Sequence, residues 1–205
     1  MARIIDMHNH LVAPEIVTFL EREGAGFNTR IAERDGQRFF VIQETAWRPL
    51  HARISQVEAR LSDMDAEGVD MQAISCVPFV MYPEVSAELG ATIARINNDA
   101  LAAACARHPE RFVPLASVPL QDPPAAAMEL ERAAQLGLRG VEIPPSVSGQ
   151  GLDEPQFEVF WDAAEGLRMC SVSTRSTRHH RVCWRAMAWE IWSEIHMTLG
   201  WLRRC

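Results

Sequence analysis

Two patterns of apolar residues alternate along residues 3–167, one typical of strands and one typical of helices. Short apolar runs predict strands at residues 3–7, 71–76, 112–118 and 140–143, with a fifth strand expected after Gly166. Apolar residues that recur every three or four positions predict helices at residues 14–23, 86–107, 123–136 and 155–166. A further helix is predicted from the spacing of Ile54, Val57, Leu61 and Met64. Gly68 is its expected end. The pattern predicts regular alternation of strands and helices.

The segment from residue 24 to residue 49 interrupts this alternation. It is irregular apart from the apolar run at residues 39–42, and we interpret it as a hairpin arm or a lid over a site. The remaining segments predict a parallel sheet with helical crossovers, in a doubly wound or a barrel fold. No glycine-rich nucleotide loop follows the first strand, which counts against the doubly wound alternative.

The first predicted strand runs into two histidines, His8 and His10. Because successive side chains of a strand alternate between its faces, both imidazoles are expected to point the same way, as metal ligands would. The alternative is a pair of solvated histidines on an edge strand, since short motifs often arise by chance. A metal pair at the carboxyl end of the first strand suits a (β/α)8 TIM barrel. Such barrels need about 250 residues, so we expect an α/β fold that is incomplete, about the first half of a barrel.

Composition narrows the class of protein. The 205 residues are 48% hydrophobic, but no apolar run approaches the ~20 residues that span a bilayer. The first residues lack the basic and then apolar layout of a signal peptide, and the five cysteines include no C-x-x-C pair. We therefore expect a cytoplasmic chain with no disulfide framework and with no membrane or nucleic-acid partner.

The net charge of −7 is unevenly distributed. Residues 1–167 hold 13 arginines and 25 acidic residues, a net charge of −12, whereas residues 168–205 hold 7 arginines and two acidic residues, a net charge of +5. Residues 168–205 also contain four of the six tryptophans and none of the 12 prolines. A basic helix at residues 181–201 that binds a membrane or nucleic acid is the functional interpretation, but its aromatic and charged residues do not form two faces. We predict a domain at residues 1–167 and an anomalous tail at residues 168–205.

Six short motifs occur in the order found in a known family. They are Ile-Asp-Met-His-Asn-His at residues 5–10, Arg-Leu-Ser-Asp-Met-Asp at 60–65, Gly-Val-Asp-Met-Gln at 68–72, Asn-Asn-Asp at 97–99, His-Pro-Glu-Arg-Phe at 108–112 and Gly-Val-Glu-Ile at 140–143. Each motif is weak alone. Together they resemble the amidohydrolase-related decarboxylases typified by aminocarboxymuconate-semialdehyde decarboxylase, over residues 1 to about 167.

The resemblance implies a mononuclear metal centre. One divalent ion, usually zinc, would be held by His8 and His10, by a histidine after the fifth strand and by an aspartate after the eighth. The metal would acidify a bound water, a histidine after the sixth strand would assist, and the substrate would lose carbon dioxide. Arg60 matches the family arginine that faces the substrate carboxylate, and a solvated arginine on the exposed face of its helix is the alternative. The chain contains no lysine, which excludes binuclear relatives that use a carbamylated lysine.

The tail departs from the family near Thr174, where Thr-Arg replaces an expected His-Pro pair. Reverse translation of residues 187–197, with mainly G or C chosen at free third codon positions, gives HGLGNLVGNPH when it is read in a shifted frame, and this string resembles the family's next loop and helix. We hypothesise that residues 168–205 are out-of-frame sequence. On this hypothesis the catalytic histidine after the sixth strand is absent, and the three histidines of the tail at positions 179, 180 and 196 are incidental.

The expected function is that of a metal-dependent carboxy-lyase acting on a small unsaturated or aromatic carboxylic acid. One alternative is a metal-dependent hydrolase of the same superfamily. The other is an inactive remnant, because catalytic zinc sites normally use three protein ligands and the sequence identifies only His8 and His10. A half-barrel also leaves open sheet edges and an apolar face, which predicts a homo-oligomer or self-association.

Overall fold

The computed structural model describes residues 3–24, 29–81 and 85–173. The strands are β1 (Ile5–His10), β2 (Thr29–Arg34), β3 (Gln37–Ile42), β4 (Ala46–Pro49), β5 (Met71–Ser75), β6 (Phe112–Ala116), β7 (Gly140–Ile143), β8 (Ser146–Val147), β9 (Gln150–Gly151) and β10 (Cys170–Ser173). The helices are α1 (Pro14–Glu23), α2 (Ala52–Ser55), α3 (Val57–Glu67), α4 (Ala87–Cys105), α5 (Pro123–Gln135) and α6 (Glu158–Gly166). Short 3-10 turns at Pro78–Val80 and Pro155–Phe157 complete the described elements.

Five parallel strands form the main sheet, in the order β1, β5, β6, β7 and β10. Every residue of β5 and β7 is buried, as expected for parallel strands that are covered on both faces. Helices connect the successive strands, so the predicted α/β class and its strand–helix alternation are confirmed. The structure also contains the fifth strand that was expected after Gly166.

Local sequence sets several element boundaries. Proline is tolerated in the first turn of a helix, and α1 begins at Pro14. Helix α3 ends at Gly68, whose φ of 71° lies in the left-handed region that favours glycine. The side chain of Ser86 accepts a hydrogen bond from the Leu89 backbone N–H at the start of α4. The end of α3 at Gly68 is the one predicted from the sequence.

The first strand differs from the prediction, since it extends to His10 instead of ending at Met7. Backbone pairing continues through polar positions, and His10 lies opposite Ser75 of β5. The ladder is irregular between Asp6 and Asn9, where the register shifts relative to β5. Apolarity alone therefore placed this strand two residues too early at its start and three residues too early at its end.

The segment interpreted as irregular is an antiparallel sheet formed by β2, β3 and β4. Asp35 and Gly36 have φ values of 53° and 73° at the turn between β2 and β3. Positive φ at both central residues is typical of a type I′ hairpin. Phe40 of this sheet is fully buried and contacts Phe79, which follows β5. The hairpin-arm interpretation agrees with this arrangement.

The main sheet and its helices enclose the apolar core. One cluster lies around β7, α5 and α6, and a second joins α3, α4, β5 and β6. A third cluster joins α1 to β3 and α4. Strand β10 packs so closely on β7 that a Cβ added at Gly140 would lie 2.7 Å from Cys170 Sγ.

None of the described helices is long and apolar enough to cross a membrane. Residues 168–173 form strand β10 and the two residues that precede it. Residues 174–205, which include most of the predicted tail, lie outside the described residues. The out-of-frame origin of residues 168–205 therefore stays a prediction.

Candidate metal centre

The structure brings the two imidazoles of β1 together. The Nε2 atoms of His8 and His10 are 3.2 Å apart, and their ring centroids are 4.9 Å apart with an interplanar angle of 85°. The His8 side chain is 49% exposed and that of His10 is 25% exposed. The pair is therefore accessible from solvent, with His10 as the deeper member.

A carboxylate from a distant strand completes the cluster. Glu142 Oε1 lies 3.8 Å from His8 Nε2, and Glu142 Oε2 lies 3.6 Å from His10 Nδ1. Glu142 belongs to β7, which is three strands away from β1 in the sheet. In a flat sheet three strand spacings amount to about 14 Å. The three side chains meet only because the sheet curls as it does in a barrel.

Glu142 is a buried carboxylate without a hydrogen-bond donor in the part of the chain that the structure describes. Its side chain is 1% exposed, and neither oxygen makes a hydrogen bond to a described residue. Burial raises the pKa of Glu142 to about 7, and the nearby Ser75 hydroxyl offsets part of this rise although its geometry is too poor for a hydrogen bond. Buried carboxylates are normally paired or bound to a metal, so Glu142 indicates a site for a cation.

Two acceptors fix the protonation of His10. Its Nδ1 lies 3.1 Å from the backbone oxygen of Cys76 and 3.0 Å from Ser75 Oγ. A carbonyl oxygen can only accept, so Nδ1 carries the proton and donates. The Ser75 hydroxyl donates in turn to the backbone oxygen of Asn9. The lone pair of His10 is therefore on Nε2, the atom that faces His8.

The charge state of His10 also suits metal binding. Burial, and then the proximity of His8, lower the pKa of His10 to about 4, and the hydrogen bond to Cys76 opposes this shift. His10 is therefore neutral at pH 7. Neutral imidazole is the form that binds a metal.

The donor set fits a divalent cation. One ligand atom from each of His8, His10 and Glu142 can be chosen so that all three lie within 4.8 Å of one another. Ligands at the usual zinc distances of about 2.0–2.2 Å in a tetrahedral site are about 3.3–3.6 Å apart. The separations of His8 Nε2 from His10 Nε2, 3.2 Å, and from Glu142 Oε1, 3.8 Å, are close to these values. Two nitrogen donors and one carboxylate, with a solvent-accessible side at His8, make an open three-ligand site.

Arg60 lies beside this centre but is turned toward the sheet. It is 7% exposed, so the alternative of a solvated surface arginine does not hold. Its Nη1 donates to Asn9 Oδ1 at 3.3 Å and to Gln72 Oε1 at 3.0 Å, and its Nη2 donates to the His10 backbone oxygen. The role expected from the resemblance, contact with a substrate carboxylate, stays a prediction.

Sequence reasoning identified His8 and His10 but missed two residues of this centre, Glu142 and Ser75. Glu142 was one letter of the Gly-Val-Glu-Ile motif, and its signal was a single charged residue inside an otherwise apolar strand. Ser75 had no distinguishing signal, because it ends a strand as many serines do. The later ligands that the resemblance implies would follow β10 and lie outside the described residues.

Comparisons with known proteins find relatives by sequence and by structure. Over 192 aligned positions, the chain is 26% identical to the 2-amino-3-carboxymuconate-6-semialdehyde decarboxylase of Caenorhabditis elegans, covering 83% of this chain and 48% of that protein. The structure is similar to 5-carboxyvanillate decarboxylase from Sphingomonas paucimobilis, with a TM-score of 0.66 and 28% identity over 83% of this chain and 51% of that one. The chain spans about half the length of the curated relatives it matches.

A further solved structure contains a metal. It is a dihydroxybenzoic acid decarboxylase from Polaromonas with bound manganese and the inhibitor 2-nitroresorcinol, and its TM-score is 0.65 at 24% identity, over 87% of this chain and 51% of that one. The sequence profile of the Amidohydrolase family matches residues 5–172 of this chain. The order of the six motifs is thus explained by descent, and the protein belongs to the Amidohydrolase family.

Proposed function

We propose that this chain carries the metal-binding strands of a carboxy-lyase that acts on a small unsaturated or aromatic carboxylic acid. The observation that supports the proposal most directly is the buried carboxylate of Glu142, which accepts no hydrogen bond from the described residues and faces two imidazoles. An isolated buried charge is unfavourable by several kcal/mol unless a cation or donors compensate it. A bound cation at this point removes that cost.

Each residue of the centre has a separate role in this proposal. His8 and His10 supply nitrogen donors, and Glu142 supplies an oxygen donor. The Cys76 carbonyl and the Ser75 hydroxyl hold the His10 ring with its Nε2 lone pair directed at His8. When bound, a divalent metal supplies Lewis-acid chemistry, polarising a substrate oxygen or acidifying a water. The solvent-accessible side of His8 leaves room for a small carboxylate to approach the centre.

We propose zinc as the preferred metal. Two imidazoles with one carboxylate are the ligands of a common class of catalytic zinc site. Zinc also exceeds manganese in the general order of affinity for divalent ions at nitrogen and oxygen sites. Manganese, which occupies the Polaromonas enzyme, is expected to bind the same residues more weakly.

The test is a metal titration of the full 205-residue chain after dialysis against a chelator. Isothermal titration calorimetry should give one tight zinc site per chain and a weaker manganese site. His10→Ala should abolish tight binding. His51→Ala is the matched control, since His51 is an exposed histidine outside the centre, and it should bind as the unaltered chain does. Glu142→Gln should also weaken zinc binding, and Glu131→Gln, at an exposed glutamate, is the corresponding control.

The result that contradicts the proposal is an unchanged stoichiometry of tight zinc in His10→Ala. Activity is measured as release of carbon dioxide from hydroxybenzoates by the metal-loaded chain. Cleavage of an ester or amide without release of carbon dioxide favours the hydrolase alternative. Absence of both tight metal and activity favours the inactive remnant.

A further inference from the structure

Arg60 occupies an unusual position for a residue expected to contact substrate. It projects from α3 and is buried beneath the carboxyl end of β1. Its three hydrogen-bond acceptors are Asn9 Oδ1, the backbone oxygen of His10 and Gln72 Oε1. Two of these acceptors belong to the strand that carries the histidine pair. The guanidinium therefore joins the metal-binding end of β1 to the neighbouring strand β5.

The acceptors of Arg60 are all uncharged, which makes its burial costly. Among the described residues, no carboxylate lies within ion-pair distance of the guanidinium, although Asp6 and Asp63 exert a longer-range effect that partly opposes the lowering of the Arg60 pKa by burial. Burying a charge without a direct ionic partner is unfavourable by several kcal/mol in general. A residue kept at such a cost has a role that a smaller apolar side chain would not fill.

The donors of Arg60 are poorly placed for a substrate carboxylate. The two hydrogens of Nη1 are directed at Asn9 and Gln72. These hydrogen bonds occupy the edge of the guanidinium that Nη1 and Nη2 form. At the other edge, formed by Nε and Nη2, Nε is buried from solvent and Nη2 already donates to the His10 backbone oxygen. A bidentate contact with a carboxylate needs one of these two edges. A substrate would first have to displace the existing hydrogen bonds.

Arg60 also lies beside an irregularity in the pairing of β1 and β5. The register between β1 and β5 shifts between Asp6 and Asn9, so His8 lies in the interrupted part of the ladder, and pairing resumes at Asn9 and His10. Arg60 bonds to Asn9 and His10 on one strand and to Gln72 on the other. It thus bridges the irregularity, since Gln72 pairs with Asp6 before the register shift and Asn9 and His10 follow the shift.

We propose that Arg60 is a positioning residue that fixes the end of β1 and so aims His8 and His10 at the Glu142 carboxylate, and that it does not contact the substrate. This inference rests on the proposed metal centre. A planar group with several donors in fixed directions can hold an amide oxygen on each strand and a carbonyl at the same time. A lysine ammonium at this position would reach fewer of these acceptors.

The experiment compares zinc affinity in the full chain and in three variants. Arg60→Met keeps the bulk of the side chain and removes its donors, and Arg60→Lys keeps the charge and some donors. The matched control is Arg111→Met. Arg111 is also partly buried and donates to two backbone carbonyls and one carboxylate, but these lie on Asp65, Val69 and Asp70, at the amino end of β5 and away from the metal centre.

Residues that orient metal ligands typically change affinity by about 10–100-fold, so Arg60→Met should weaken zinc binding by about that factor and Arg60→Lys by less. Arg111→Met should lower the melting temperature of the metal-free chain and leave zinc affinity unchanged. The cobalt(II) absorption spectrum gives a second readout. It should change in Arg60→Met, because the ligand geometry changes, and should be unaltered in Arg111→Met.

Three outcomes separate the inference from the proposed function. If the unaltered chain binds no zinc, the proposed metal centre fails and this inference fails with it. If the chain binds zinc and Arg60→Met binds as Arg111→Met does, only the positioning role is overturned. The same conclusion follows if Arg60→Met keeps zinc affinity and loses affinity for salicylate, because that result assigns Arg60 to the substrate. Should Arg60→Met fail to fold, zinc affinity and the cobalt spectrum of Arg60→Lys decide between the two roles.

Discussion

Substitution of Asn98 should destabilise the fold strongly, because its side chain satisfies buried groups on two other elements. Its amide nitrogen donates to the Ser117 backbone oxygen at 2.9 Å and to Glu129 Oε1 at 2.7 Å. Its amide oxygen accepts from the Ser117 backbone N–H at 2.8 Å. Asn98 is fully buried, and Ser117 is 4% exposed. Helix α4 is thereby fastened to the segment after β6 and to α5.

The magnitude follows from the groups that lose their partners. Asn98→Ala leaves the N–H and the carbonyl of Ser117 without side-chain partners, at about 1–3 kcal/mol each, and so should lower the free energy of unfolding by about 2–6 kcal/mol. Glu129 keeps its two hydrogen bonds from Arg132 and adds little to this loss. Whole domains are stable by only about 5–15 kcal/mol, so the expected effect is a large fraction of the total.

The adjacent asparagine provides the control. Asn97 is 2% exposed, but its amide nitrogen has no hydrogen-bond partner among the described residues. Asn97→Ala should therefore cost only about 1 kcal/mol, as an average substitution does. Urea denaturation of the full chain, followed by circular dichroism, measures both variants. Free energies of unfolding that differ by less than about 1 kcal/mol between them would refute the assignment of these hydrogen bonds.

Three further predictions follow from separate features. Gly140→Ala should lower the free energy of unfolding by about 1–3 kcal/mol, because the new Cβ would lie 2.7 Å from Cys170 Sγ. A Cβ at Gly166 would meet no atom within 4 Å, so Gly166→Ala should be neutral or stabilising. Thermal denaturation compares the two variants. Trp161→Phe removes the 2.7 Å hydrogen bond from Nε1 to the Leu152 carbonyl and should cost about 1 kcal/mol by urea denaturation, so an unchanged midpoint argues against that bond. Zinc at 100 times its dissociation constant should add about 2.7 kcal/mol to the free energy of unfolding, and a chelator should reverse the gain; a melting temperature that does not respond to zinc contradicts the proposed centre.

Local signals explain which parts of the fold could be predicted from the sequence. Helix α1 and strand β7 have the predicted bounds, Pro14–Glu23 and Gly140–Ile143, because a proline starts the former and a glycine-bounded apolar run defines the latter. The two strands of the hairpin between β2 and β3 were not predicted, although the pair Asp35 and Gly36 is a recognised turn signal. Its strands mix charged and apolar residues, so periodicity did not identify them.

The candidate site was predictable only where it is local in sequence. His8 and His10 are two residues apart on one strand, so the period of a strand is sufficient to place them together. Glu142 joins them through the curvature of the whole sheet, which no local pattern encodes. The direction of Arg60 was equally inaccessible, because the spacing of apolar residues in α3 does not show which polar side chain turns beneath the sheet.

The approach of β1 to β7 makes cation affinity a measure of sheet curvature. His10 and Glu142 are separated by 132 positions in sequence and by two intervening strands, so an ion held by both would tie the first strand to the fourth. Substitutions that flatten the sheet from outside, even on helices remote from the ligands, would then weaken metal binding. Titration with zinc could thus rank such variants by their effect on barrel shape.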